Sequence, residues 1–206
     1  MSKFWTLPNI ISVLRMVAVP FVVLFLYLEK YLHIEKGITD NSVYCWIAGI
    51  FYIFAALSDI LDGYLARKMN QVSTFGKFLD PLADKILVIT ALVMLVGLDR
   101  VPAWLAIIVV GRELAITSLR SMAVSDGVVI AASKLGKIKT VLQNTALGFL
   151  IVHYAIHPFG LTLPTHSIGM TLLVLAVAWT VWSGIDYGYD FFIAREKKEQ
   201  VTPPTE

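Results

Sequence analysis

The chain has 206 residues and a formal net charge of +2, and 57% of its residues are hydrophobic, with a mean hydropathy of +0.74. That composition excludes an ordinary soluble domain, and so small a charge argues against a protein that holds nucleic acid by its phosphates. A single cysteine, Cys45, excludes an internal disulfide and a shared thiolate metal site, leaving it the role of a small helix-packing residue.

In chain order, six apolar runs are long enough to cross roughly 30 Å of hydrocarbon, which takes about 20 helical residues each. The first covers 10–28. It carries Arg15 and Pro20 and has no A-x-A cleavage site before Glu29, so it reads as a retained span and not as a signal peptide. The others cover 43–65, 81–98, 102–124, 135–156 and 168–193. Arg67, Lys68 and Lys77 mark one connecting loop as cytoplasmic, and Lys134, Lys137 and Lys139 mark another. The alternate loops carry Lys30 and Lys36 offset by acids, then only Arg100, then no lysine or arginine over 157–166, as expected of the outer face. Both termini are then cytoplasmic. The expected organisation is one membrane domain over 1–194 and a cytoplasmic tail over 195–206, with its VTPPTE end disordered. Trp5, Trp46, Trp104 and Tyr187 are expected as interfacial anchors, and His33, His153, His157 and His166 fall at the outer side, poorly placed for catalysis.

The ionisable residues of these spans gather at the cytoplasmic end: Arg15 in the first, Asp59 and Asp62 in the second, Asp80 and Asp84 in the third. Arg112, Glu113 and Arg120 follow in the fourth, Lys137 and Lys139 in the fifth, and Asp186 in the sixth. A buried charge costs several kcal/mol unless it is paired or faces water, so this gathering predicts six transmembrane helices around a polar cavity open to the cytoplasm. Glu113 is expected to pair with a neighbouring arginine, and Asp186 likewise.

Between the second and third spans runs D-x-x-D-G-x-x-A-R, eight residues, then G-x-x-x-D-x-x-x-D. Asp59 and Asp62 are i, i+3 and Asp80 and Asp84 are i, i+4, so each pair shares one helix face. Four carboxylates on adjacent helices repel at low dielectric unless some are protonated or divalent cations lie between them. Oxygen-only ligands favour Mg²⁺ or Mn²⁺ over zinc, and magnesium shares its shell with phosphates, which points to a diphosphate substrate. Gly63 and Ala66 keep the helix surface bare for a ligand, Arg67 offers a planar fork for phosphate oxygens, and Gly76 permits a close helix approach. Each residue also has a plainer reading. Asp59 and Asp62 can mark a helix end, Gly63 a packing contact, and Asp80 a helix N-cap with Pro81 at the first helical position. A calcium EF-hand is excluded, because its ligands alternate along a loop.

This run resembles the signature of the CDP-alcohol phosphatidyltransferases, matched at Asp59, Asp62, Gly63, Ala66, Arg67, Gly76, Asp80 and Asp84. The segments LPNIISVLR, FGKFLDPLADK, GRELAITSLR and SKLGKIKT are similar to those of its bacterial phosphatidylglycerophosphate synthase branch. The resemblance implies transfer of a phosphatidyl group from CDP-diacylglycerol to the 1-hydroxyl of glycerol 3-phosphate, in the bacterial cytoplasmic membrane. It implies two Mg²⁺ or Mn²⁺ ions held by Asp59, Asp62, Asp80 and Asp84, with Asp84 also the general base. It assigns Gly63, Ala66, Arg67 and Ser73 to the nucleotide and diphosphate, with Asn9 and Gly76 beside them.

With that acceptor, Arg112, Arg120, Lys137 and Lys139 become candidates for its phosphate. Their plainer role is to set topology and meet anionic headgroups. Expected partners are the two substrates and membrane lipids, with no nucleic acid; a homodimer is compatible with this reading. The signature does not separate a sister transferase acting on phosphatidylglycerol or serine. A membrane prenyltransferase would space its acidic motifs more widely than the 17 residues between Asp62 and Asp80. An ion-coupled carrier would show broken helices and an inverted repeat, and neither is evident.

Overall fold

A computed structural model describes residues 7–36, 42–69, 74–125, 134–155 and 162–201. Among these it contains six α-helices: α1 (Leu7–Lys36), α2 (Ser42–Met69), α3 (Thr74–Gly97), α4 (Ala103–Ser125), α5 (Lys134–Val152) and α6 (Thr165–Val201). Each apolar run of the sequence forms one helix, because an apolar stretch of that length satisfies its backbone hydrogen bonds internally only as a helix. α1 and α6 hold continuous apolar stretches, Asn9–Leu32 and Thr165–Glu196, long enough to cross a bilayer by themselves.

The helix bounds differ from expectation in two instructive places. α3 begins at Thr74, so Asp80 and Pro81 lie inside it and are not its N-cap and first residue. An interior proline loses its own N–H bond and crowds the carbonyl four residues back, a local cost that this helix tolerates at Pro81. α6 runs through Val201, so the segment assigned to a tail begins as helix. VTPPTE beyond Val201 lies outside the described residues.

α1 packs against α2 and α3, α5 against α6 and α2, and α4 against α6. Leu26, Ala48, Ala55, Leu87, Leu92 and Leu147 are among the side chains that close the centre. Phe21 and Phe25 stack on Phe51 to seat α1 on α2. Small residues set the closest approaches. A Cβ at Gly169 of α6 would stand 2.8 Å from the Leu150 side chain and 3.1 Å from the Ala146 carbonyl oxygen, so this contact requires glycine. The exterior carries large apolar side chains such as Leu24, Ile50, Val93, Ile107, Val141 and Trp182, whereas Arg15, Glu29, Arg100 and Lys139 are buried. Charge inside and hydrocarbon outside fit a bundle solvated by lipid.

The α3–α4 turn aims one of those charges. Asp99 has φ 55°, its N–H donates to Val96 O at 3.1 Å, and Arg100 N–H donates to Leu95 O at 2.9 Å. This is a Schellman cap with aspartate in the left-handed position where glycine is commoner. It turns Arg100 into the bundle, where Nη2 meets Glu29 Oε1 at 2.9 Å and Cys45 Sγ at 3.3 Å, and Nη1 donates to Ile151 O at 2.9 Å. Tyr154 closes the group by donating to the same Glu29 oxygen at 3.2 Å. Cys45 is buried as expected, but it serves as a hydrogen-bond acceptor as well as a packing residue. Arg100, read from sequence only as a loop charge, is 4% exposed and ties the α3–α4 turn to α1, α2 and α5.

Candidate functional site

The signature residues fall at the end of one helix and the start of the next. Asp59, Asp62, Gly63, Ala66 and Arg67 occupy the C-terminal part of α2, and Gly76 and Asp80 the first part of α3. The side chains of these residues lie outside the described part, as does Ser73 altogether. Asn9, near the start of α1, is buried at the same end of the bundle.

Asp84 is described in full, and its surroundings are informative. It is half-buried on α3 and lines a cavity of about 40 Å³ with Lys85, Glu113, Lys139, Thr140 and Gln143, walled by Val88, Ile89, Val109 and Val110. Among the described residues no cluster of three or more metal-ligating side chains occurs, since only Asp84 of the four signature aspartates has a described side chain. The donor set read along α2 and α3 consists of carboxylates, which suits a hard divalent cation such as Mg²⁺ or Mn²⁺.

The basic candidates separate into groups. Lys139 on α5 is 5% exposed and forms an ion pair with Glu113 on α4. Arg112 Nη1 stands 3.5 Å from the same Glu113 carboxylate, and its Nη2 donates to Ser183 Oγ on α6 at 3.0 Å. Gly184 on α6 lies beside the same side chain, where a Cβ would stand 3.5 Å from Arg112 Cγ, an ordinary packing distance. Glu113 thus pairs with its neighbouring arginine as expected, and with Lys139 besides. Arg120 is exposed and rests over the Tyr187 ring at 5.9 Å, apart from this group. The Lys137 side chain lies outside the described residues. One expectation is corrected: Tyr187 is buried, covered by the Arg120 cation instead of anchoring at the interface; Asp186 is exposed.

Sequence reasoning passed over Lys85, Thr140 and Gln143. Lys85 Nζ donates to Thr117 Oγ1 at 2.6 Å, fastening α3 to α4 beside Asp84. Gln143 is one turn beyond Lys139, an i, i+4 pair on one helix face, and a polar residue at that depth in an apolar span was the available signal.

An apolar groove of about 430 Å³ runs between α2 and α5, from Leu57 and Val141 to Trp46 and Val152. Tyr52 crosses its floor and donates to Asn144 Oδ1 at 3.2 Å. Thr140 lines both the groove and the small cavity, so the two adjoin.

The profile of the family described as CDP-alcohol phosphatidyltransferase matches residues 5–182. A Bacillus subtilis protein named CDP-diacylglycerol–glycerol-3-phosphate 3-phosphatidyltransferase is 41% identical over 184 residues, 89% of this chain and 93% of its own. Proteins of the same name from Haemophilus influenzae and Rickettsia felis are similar as well. The first is 36% identical over 188 residues, 89% of this chain and 91% of its own; the second is 33% identical over 146 residues, 71% and 75%.

Proposed function

Because this chain belongs to the CDP-alcohol phosphatidyltransferase family, we propose that it transfers a phosphatidyl group from CDP-diacylglycerol to glycerol 3-phosphate, releasing CMP and phosphatidylglycerophosphate. The observation that carries the reading beyond the family is the Asp84 cavity, which a carboxylate and a Lys139–Glu113 pair line together. Asp84 takes the proton of the 1-hydroxyl as that oxygen attacks the phosphorus bearing diacylglycerol, and the bond from that phosphorus to the CMP oxygen breaks. Lys139, with Arg112 behind it, holds the acceptor phosphate; Arg67 holds the donor diphosphate. Asn9, Gly63, Ala66, Ser73 and Gly76 are assigned to the donor, and Lys137 and Arg120 to the acceptor.

Asp59, Asp62, Asp80 and Asp84 would hold two Mg²⁺ or Mn²⁺ ions. When bound, these ions neutralise diphosphate charge and polarise the reacting phosphorus. The α2–α5 groove supports a lipid donor. From Leu57 to Trp46 an α-helix rises about 16 Å, close to the hydrocarbon depth of one leaflet, so an acyl chain can lie along it while its headgroup reaches the cavity. On this reading the six helices all span the bacterial cytoplasmic membrane. The cavity and both termini face the cytoplasm, where CDP and glycerol 3-phosphate are soluble, with one membrane domain over 1–194 and residues 195–206 beyond it. The full chain acts in contact with membrane lipids, and a homodimer is compatible with this arrangement.

Purified protein in mixed micelles tests the reaction. CMP release is expected only with Mg²⁺ or Mn²⁺, CDP-diacylglycerol and glycerol 3-phosphate together; release with phosphatidylglycerol or serine replacing glycerol 3-phosphate would reassign the acceptor. A chiral phosphorothioate donor is expected to give inversion at phosphorus, and retention would require a phosphatidyl-enzyme.

A further inference from the structure

Gln143 is the polar group in the cavity that the assignments above leave without a task. It is 3% exposed, and its Oε1 is fully buried with no hydrogen-bond partner among the described residues. A buried carbonyl oxygen left unpaired lowers stability, so its retention calls for a ligand or an ordered water. Its neighbours are already engaged. Lys85 donates to Thr117, Lys139 is paired with Glu113, and Val88, Ile89, Val109 and Val110 offer no donor. An O–H or N–H donor held in the cavity that Gln143 lines would supply the missing bond.

The space restricts what can arrive. About 40 Å³ corresponds to roughly three water-sized groups. The diol end of a glycerol unit fits that allowance, with its phosphate toward Lys139, which lines the same cavity one helical turn from Gln143.

We propose that Gln143 accepts a hydrogen bond from a second hydroxyl of the acceptor, vicinal to the hydroxyl that reacts at Asp84, and so selects a vicinal diol over a simple alcohol. On glycerol 3-phosphate this is the C2 hydroxyl. The inference rests on the acceptor assigned above and adds to it a recognition element that the acidic signature does not supply. A site built to bond a hydroxyl discriminates strongly against the analogue lacking it, because the buried oxygen is then left unpaired in the complex.

The experiment compares glycerol 3-phosphate with 3-hydroxypropyl phosphate, which lacks only the C2 hydroxyl. It uses the full chain and the Gln143→Met variant in mixed micelles with CDP-diacylglycerol. The unmodified protein is expected to use the deoxy compound with kcat/KM lower by about tenfold to a hundredfold. Gln143→Met, similar in size and without the oxygen, is expected to fall to that level on glycerol 3-phosphate and to lose the discrimination, with KM for CDP-diacylglycerol unchanged. Gln143→Asn withdraws the amide by one methylene and is expected to give the same pattern, which keeps the test open if the methionine variant does not fold. Equal use of both acceptors by the unmodified protein, or discrimination that survives in the variants, overturns the role of Gln143 and leaves it holding water. No turnover of glycerol 3-phosphate by the unmodified protein overturns the acceptor assignment itself, and this inference with it.

Discussion

Both ends of the bundle bury charge, but they complete it differently. At the end opposite the signature, Arg100 reaches Glu29, Cys45 and the carbonyls of Leu150 and Ile151, and Tyr154 adds its hydroxyl to Glu29. These groups come from the α1, α2 and α5 helices and the residues that flank them, and they face one another. At the signature end, Lys139 and Glu113 pair beside a cavity that also receives Asp84 and the open oxygen of Gln143. A buried guanidinium surrounded by protein acceptors fixes helix positions, whereas Gln143, whose Oε1 has no hydrogen-bond partner among the described residues, lines a cavity. Burial of charge alone therefore does not mark a site; the space beside it does.

The largest expected effect comes from the acidic end. Asp84→Asn should lower turnover by about a hundredfold to ten-thousandfold, the range for removing a general base, while CDP-diacylglycerol binding and thermal stability stay near those of the unmodified protein. CMP release and a detergent-phase melting curve measure the two. A stable, fully active variant would put Asp84 on the structural side of the comparison.

Next comes the opposite end. Arg100→Met or Glu29→Gln should destabilise the fold by about 3–5 kcal/mol, because each leaves a buried partner uncompensated. Both KM values per folded molecule should stay within about twofold, and replacing Glu29 and Arg100 together should cost less than the sum of the single changes. An acceptor KM that moved with these changes would join the two ends functionally.

A smaller effect separates the basic residues. Lys139→Ala should raise the acceptor KM by about tenfold to a hundredfold, the loss of one charge-assisted contact, and leave the donor KM unchanged. Arg112→Ala should do less to the acceptor and more to stability, since its guanidinium also holds Ser183 on α6. Arg120→Ala, exposed over Tyr187, should change either KM by no more than about threefold. The reverse order would move the acceptor site outward along α4.

The smallest is at the groove floor. Tyr52→Phe removes the hydroxyl that donates to Asn144 and should cost about 0.5–1.5 kcal/mol of stability, with turnover retained. A rise in donor KM with longer acyl chains would instead connect that floor to lipid binding.

Much of the helical plan was legible without coordinates, because hydrocarbon solvation demands apolar runs of a set length and each run became a helix. Asp84 and Lys139 were also legible: a carboxylate or ammonium inside such a run is costly enough to signal a purpose. The start of α3 was not, since Asp80-Pro81 satisfies the local rule for a helix N-terminus whereas the helix begins at Thr74. Gln143 was passed over because a neutral amide costs far less to bury than a charge and stands out only when its partners can be counted.

The sequence by itself determined an all-helical, apolar chain with an acidic signature between its second and third helices, since residue type and spacing alone decide solvation and helix face. Tertiary structure decided which charges meet. Lys139 and Glu113 are 26 positions apart and Arg100 and Glu29 are 71 apart, and no local rule relates residues at such separations. Only the packing of one helix on another determines whether a charged side chain meets protein acceptors, as at Arg100, or lines a cavity, as at Asp84.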